Sequence, residues 1–156
     1  MNSEFESHSE AETLQFGIRL AAAIRPGQVI ALDGDLGAGK TALSKSICEG
    51  LGIDPNDVNS PTFALMQLYR SENFQVAHFD TYRLADPDEF LALGAEDYLL
   101  SQNDVCLIEW ANRIEELLPL DRLEIQIIQT NANSRLMKLR ATGPESTRLL
   151  QTCMEN

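Results

Sequence analysis

Basic residues are scarce in this chain. Twelve lysines and arginines stand against 24 aspartates and glutamates, a formal net charge of −12 over 156 residues. Binding along a nucleic acid needs a basic face for the phosphates, so the overall balance argues against autonomous DNA or RNA binding. It leaves room for a local basic patch and for docking onto a more basic protein. Cysteine is nearly as sparse: Cys48, Cys106 and Cys153 lie far apart and form no C-x-x-C pair. That excludes a disulfide framework, and the expected state is reduced thiols in a cytoplasmic compartment. No apolar run approaches the roughly 20 residues of a membrane span, and Met1 to Glu12 is acidic and polar, the wrong character for a secretory leader. Internal repeats, low-complexity stretches and linkers are absent. The length suits one domain, with a polar N-terminal tail over residues 1–8 and a short C-terminal tail over 144–156.

What is present is a phosphate loop. The apolar run Val29-Ile30-Ala31-Leu32 leads into Gly34-Asp35-Leu36-Gly37-Ala38-Gly39-Lys40-Thr41. The pattern G-x-x-x-x-G-K-[ST] fixes few positions, and an ordinary Gly-rich turn can match it. Its place between a buried strand and a helix starting near Lys40 gives it weight. Glycines let the backbone fold into a nest of N–H groups, which with the helix N-terminus hold a polyphosphate. The expected cradle is Asp35, Leu36, Gly37, Ala38, Gly39, Lys40, Thr41 and Ala42. Lys40 would reach the β- and γ-phosphates, and the Thr41 hydroxyl would ligate Mg²⁺. A nucleoside triphosphate is the expected ligand.

Around the loop, residues 9–25 read as a helix with Ser9 and Glu12 at capping-box spacing. Gln28 to Asp33 read as a strand, followed by the loop and a helix to about Leu51. Thr62 to Arg70 and Phe74 to Asp80 form a hairpin across Ser71-Glu72-Asn73. Asp86 caps a helix that Gly94 interrupts, with Glu96 to Leu100 as a second short one. Val105 to Ile108 is a buried strand ending at Glu109-Trp110. Asn112 to Leu118 is predicted helical, Leu123 to Gln129 and Leu136 to Ala141 pair as strands, and Pro144 opens a short helix. The sum is an α/β fold, a single P-loop NTPase-like domain whose mixed parallel/antiparallel sheet is flanked by helices.

A phosphate loop needs an acid at the end of a neighbouring strand to hold the metal or its water. Glu109 after Val105-Cys106-Leu107-Ile108 has that shape and is assigned to Mg²⁺. Asp80, ending a run that His78 interrupts, is then either an outer ligand or the group that positions the attacking water. Ser60-Pro61-Thr62-Phe63 lies where switch segments sit, or is a plain turn into a strand. Arg83 either stabilises transferring phosphate charge or pairs with a carboxylate. Trp110 packs near the nucleotide or in the core. His78 reads as a packed strand residue rather than a general base. A small-molecule kinase is the alternative use of such a loop, but only Arg113 precedes Arg122 after Glu109, too few arginines for a lid. A GTPase is disfavoured because no Asn-Lys pair occurs.

The phosphate loop, Ser60-Pro61-Thr62-Phe63, His78-Phe79-Asp80-Thr81-Tyr82-Arg83-Leu84 and Leu107-Ile108-Glu109-Trp110, in this order and spacing, resemble the TsaE (YjeE) family from about Thr13 to Leu123. The resemblance implies a small Mg²⁺-dependent ATPase that is weak alone. It would serve formation of threonylcarbamoyladenosine in tRNA by binding a complex of TsaB and TsaD, with tRNA reached only through that complex. It also implies Lys40 and Thr41 on phosphate and Mg²⁺, Glu109 completing the metal site, Asp80 supporting hydrolysis, and Ser60 to Phe63 as the switch. Ala42 stands where the family usually has a second Thr, which removes a side-chain contact to the α-phosphate. Ala111 replaces a Pro often found after the Trp.

Overall fold

The structure is a computed structural model that describes all residues except Phe63 and Phe74. The strands are β1 (Asn2–Ser7), β2 (Val29–Gly34), β3 (Met66–Arg70), β4 (Gln75–Asp80), β5 (Asp104–Glu109), β6 (Leu123–Gln129) and β7 (Arg135–Ala141). The α-helices are α1 (Glu10–Ala23), α2 (Lys40–Gly50), α3 (Pro87–Ala92), α4 (Ala95–Leu99) and α5 (Pro144–Glu155), with 3₁₀ segments at Pro55–Asp57 and Ala111–Leu117. Among the described residues the strands form one seven-stranded sheet in the order β1-β7-β6-β2-β5-β4-β3. β6, β2, β5 and β4 run parallel in the middle. Antiparallel pairs finish both edges, β7 and β1 on one side and β3 on the other.

β2 and β5 carry continuous apolar runs because helices cover both of their faces. Alternation divides each run. Ile30 and Leu32 of β2 join Val105 and Leu107 of β5 in a core under α1, α2 and α5. Val29, Ala31, Cys106 and Ile108 face the opposite core, with Phe79, Phe90 and Ile114. Burial pushes the Cys48 and Cys106 thiols up to about 12, so both stay protonated.

Two expected tails are corrected. Residues 2–7 form β1 and pair along their length with β7. Phe5 stacks on Phe16 of α1 with ring centroids 4.5 Å apart. One apolar residue on an otherwise polar edge strand leaves almost no periodic signal. Residues 144–155 form a full helix whose Leu149, Leu150 and Cys153 are 0% exposed, so this segment completes the first core. Elsewhere β3 starts at Met66 rather than Thr62, because Leu65 turns back at φ 67° and donates its N–H to the Pro61 carbonyl at 2.6 Å. The strand predicted from Phe74 runs from Gln75, and Phe74 itself lies outside the described residues. The helix predicted at Asn112 to Leu118 is 3₁₀ and kinked at Ile114. No helix among the described residues is long and apolar enough to cross a membrane.

Helix α2 is held by α1 through a close backbone approach. A Cβ on Gly50 would stand 2.6 Å from the Ala21 Cβ, 2.9 Å from the Ile18 Cα and 3.1 Å from the Ile18 carbonyl. Two of those atoms are backbone and cannot swing aside. Gly50→Ala is expected to destabilise the fold by about 1–3 kcal/mol, a fall in thermal midpoint of about 2–12 °C at this size. Calorimetry showing an unchanged or raised midpoint would contradict this packing.

Candidate nucleotide-binding site

Strand β2 delivers the loop to the carboxyl end of the parallel strands, where open α/β sheets bind ligands. Gly34 must be glycine because a Cβ there would meet the Ile127 carbonyl of β6 at 2.6 Å. Gly39 starts α2 in the left-handed region at φ 114°, and no side chain caps the helix. The first N–H groups of α2 are thus left without a side-chain acceptor, the arrangement that binds an anion.

Lys40 is 5% exposed. Its Nζ donates to the carbonyls of Gly34 at 2.6 Å and Asp35 at 2.9 Å, within the loop it belongs to. It also lies 4.0 Å from the centroid of the Trp110 ring. Burial lowers the Lys40 pKa, while the carboxylates of Glu109, Asp33, Asp80 and Asp35 push the other way. Trp110 therefore belongs to the loop's surroundings rather than to the core. It adopts φ 59° at the start of the 3₁₀ segment and packs on Tyr82 at 4.8 Å between centroids. The Arg113 guanidinium lies 5.2 Å from the Tyr82 centroid. Arg83 is exposed on the turn after β4.

Behind Trp110, Asp33 accepts from the Asn112 N–H at 2.9 Å and ties the end of β2 to the segment after β5. Burial raises the Asp33 pKa.

Thr41 and Glu109 meet. The Thr41 hydroxyl donates to Glu109 Oε1 at 2.7 Å, joining the start of α2 to the end of β5. Glu109 is 2% exposed. Among the described residues no group of three His, Cys, Asp or Glu could hold a metal alone. Mg²⁺ beside a nucleotide needs no such cage, because one or two protein oxygens, waters and phosphate oxygens complete its shell. The paired hydroxyl and carboxylate next to the loop fit that demand.

Asp80 is the register neighbour of Glu109. Its Oδ2 accepts from Thr62 Oγ1 at 2.8 Å and Ser60 Oγ at 3.4 Å, and its Oδ1 accepts from the Tyr82 N–H at 2.9 Å. Ser60 and Thr62 are themselves joined at 2.7 Å, and Pro61 between them is buried. The sequence-derived switch segment is thus brought to the sequence-derived hydrolysis residue, with Phe63 outside the described residues. Asp80→Ala is expected to leave ATP affinity within about threefold while lowering hydrolysis at least about tenfold, since it removes one polar anchor near the reacting end. Equal losses in a binding titration and in turnover would make Asp80 structural.

One residue near the loop is not singled out by the sequence. Arg135 at the start of β7 donates from Nε to the Ala38 carbonyl at 2.8 Å and braces the loop from outside. Its position after the Asn131 to Ser134 turn shows in the sequence, but the reach across to the loop does not. A cavity of about 530 Å³ opens beside Gly39 and Ala42, bounded by Thr13 and Leu14 of α1, Lys45 of α2 and Arg135. Ala42 of α2 is part of its lining.

A strand, glycine loop and helix at the carboxyl end of the central parallel strand, with a hydroxyl–carboxylate pair alongside, define a P-loop NTPase-like α/β domain. Residues 7–137 match the family described as threonylcarbamoyl adenosine biosynthesis protein TsaE. The chain belongs to the TsaE family. It is 43% identical over 132 residues to the tRNA threonylcarbamoyladenosine biosynthesis protein TsaE of Bacillus subtilis, covering 85% of this chain and 81% of that protein. It is 35% identical over 140 residues to the protein of the same name from Rickettsia felis, covering 90% and 81%. The crystal structure of YdiB from Bacillus subtilis matches with a TM-score of 0.82 at 32% identity, covering 99% of this chain and 95% of that one.

Proposed function

We propose that this protein is the ATPase subunit of tRNA threonylcarbamoyladenosine biosynthesis, binding and hydrolysing Mg·ATP in the cytoplasm to drive turnover of a TsaB–TsaD complex. The observation that carries the reading is the Thr41–Glu109 contact at 2.7 Å beside the buried Lys40. It joins a hydroxyl and a carboxylate next to the glycine loop, in a chain of the TsaE family. Lys40, the loop amides and the start of α2 hold the phosphates. Thr41 and Glu109 would hold Mg²⁺, which supplies positive charge against the phosphate oxygens. Asp80 orients the water-side groups through Ser60 and Thr62.

The protein's own contribution is position and charge rather than covalent chemistry, as phosphoryl transfer requires. The acidic surface, at net charge −12, suits docking on basic protein surfaces better than on RNA, so tRNA is reached through the partners.

ATP hydrolysis measured with and without purified TsaB–TsaD tests the reading. Weak activity alone that rises with the partners is expected. Strong activity that ignores them would favour a free ATPase or a small-molecule kinase.

A further inference from the structure

His78 lies in β4 among apolar residues and is 0% exposed. Both of its ring nitrogens are engaged, as burial of a polar ring requires, and the partners say what the ring holds in place. Nε2 faces Glu109 Oε2 at 2.5 Å, and Nδ1 faces the Tyr69 hydroxyl at 3.2 Å. A carboxylate only accepts, so the proton of this contact is on Nε2. In the neutral ring the bare nitrogen is then Nδ1, which lies 3.2 Å from the Tyr69 hydroxyl. Tyr69 is itself placed by its neighbours, with Oη 2.7 Å from Gln67 Oε1 and 3.3 Å from the Asn59 carbonyl.

The two oxygens of Glu109 therefore have separate partners, Oε1 with Thr41 and Oε2 with His78. The terminal torsion of a glutamate is soft and broad, so its own rotamer does not decide which oxygen faces the loop. The contact from β4 decides it. Register explains how: His78 pairs with Leu107, two residues before Glu109 on the same face of the neighbouring parallel strand.

We propose that His78 is a positioning residue for the metal site: its Nε2–H pins the Glu109 carboxylate so that the other oxygen stays on the Thr41 side, with Tyr69 bracing the ring from behind. The proposal rests on the reading of Glu109 as the Mg²⁺ acid.

Two substitutions in the full chain separate this role from packing. In His78→Gln the amide nitrogen stands near the place of Nε2 and can donate to Glu109. In His78→Asn it stands near the place of Nδ1 and serves only Tyr69. Calorimetric titration with ADP, in Mg²⁺ and in EDTA, gives for each protein the factor by which Mg²⁺ tightens binding. His78→Gln is expected to keep that factor within about threefold of the unmutated protein. His78→Asn is expected to lose about tenfold or more of it, the scale on which groups behind a metal ligand act. Affinity in EDTA should be the same for all three. Equal losses in the two variants, or a full Mg²⁺ effect in His78→Asn, would overturn the proposal and leave Glu109 as the metal acid.

A second measurement needs no mutation. The Nε2–H signal of His78 in ¹⁵N-labelled protein should move when Mg²⁺ is added to the ADP complex, and a signal indifferent to Mg²⁺ counts against the proposal. No Mg²⁺ effect on ADP affinity in the unmutated protein would remove the metal reading of Glu109 itself, and the proposal with it.

Discussion

Lys40→Ala is expected to abolish ATP binding. The ammonium is buried inside the loop, 5% exposed, and it is already oriented by the Gly34 and Asp35 carbonyls. Asp33, Asp35, Asp80 and Glu109 all bear on it. With the ammonium gone, those carboxylates would face the incoming phosphates with no buried counter-charge. Charge-assisted contacts of this kind contribute about 1.5–3 kcal/mol each. Losing two from Lys40 to phosphate oxygens predicts affinity weaker by at least about a hundredfold. Isothermal titration with ATP, with circular dichroism to show that the fold persists, provides the check. A folded Lys40→Ala protein with ordinary affinity would move the ligand away from this loop.

The second large effect is on turnover. Glu109→Ala is expected to lower hydrolysis in the reconstituted TsaB–TsaD complex by about a hundredfold or more, the scale of losing one preorganised charge-stabilising group. ATP binding should fall far less, because the loop amides and Lys40 remain. The same change leaves the buried Nε2–H of His78 without its carboxylate. A buried unsatisfied donor costs about 1–3 kcal/mol, so stability should drop as well. Glu109→Gln, closer in shape, separates the lost charge from the lost packing. Normal hydrolysis by both variants would rule out Glu109 as the metal acid.

What could be read from the sequence follows from where each signal resides. The phosphate loop is a local signal carried by consecutive residues, so its place between β2 and α2 was legible outright. Glu109 was legible because an acid closing a four-residue apolar run is also local. The bond between Asp80 and Thr62 was not, since it needs the β3–β4 hairpin and the turn at Leu65 to bring residues 18 apart in sequence within 2.8 Å. His78 is a packed strand residue as its sequence context predicts, but an isolated histidine in a strand carries no indication of its neighbour. Its partner belongs to β5 and becomes visible only once the parallel register is known. Arg135 is hidden for the same reason, its target being 97 residues away. The β1 strand is hard to see in the sequence because its inward face carries a single apolar residue, Phe5, between Ser3 and Ser7. The C-terminal helix is legible from Pro144, and only its packing into the core is not, since that depends on α1 and β7, distant in sequence.

The pairing of β1 with β7 also bears on how the molecule is made. β1 leaves the ribosome well before its partner, because Ala141, the last residue of that strand, lies 140 residues after the Met1 nitrogen that touches its carbonyl. At synthesis rates of about 5–20 residues per second, β1 waits on the order of 10 s for β7, its neighbour in the sheet. During that time Phe5 has no finished surface on which to stack. The alternating glutamates of β1, Glu4 and Glu6, then keep an unpaired strand dispersed in water until the other end of the domain arrives.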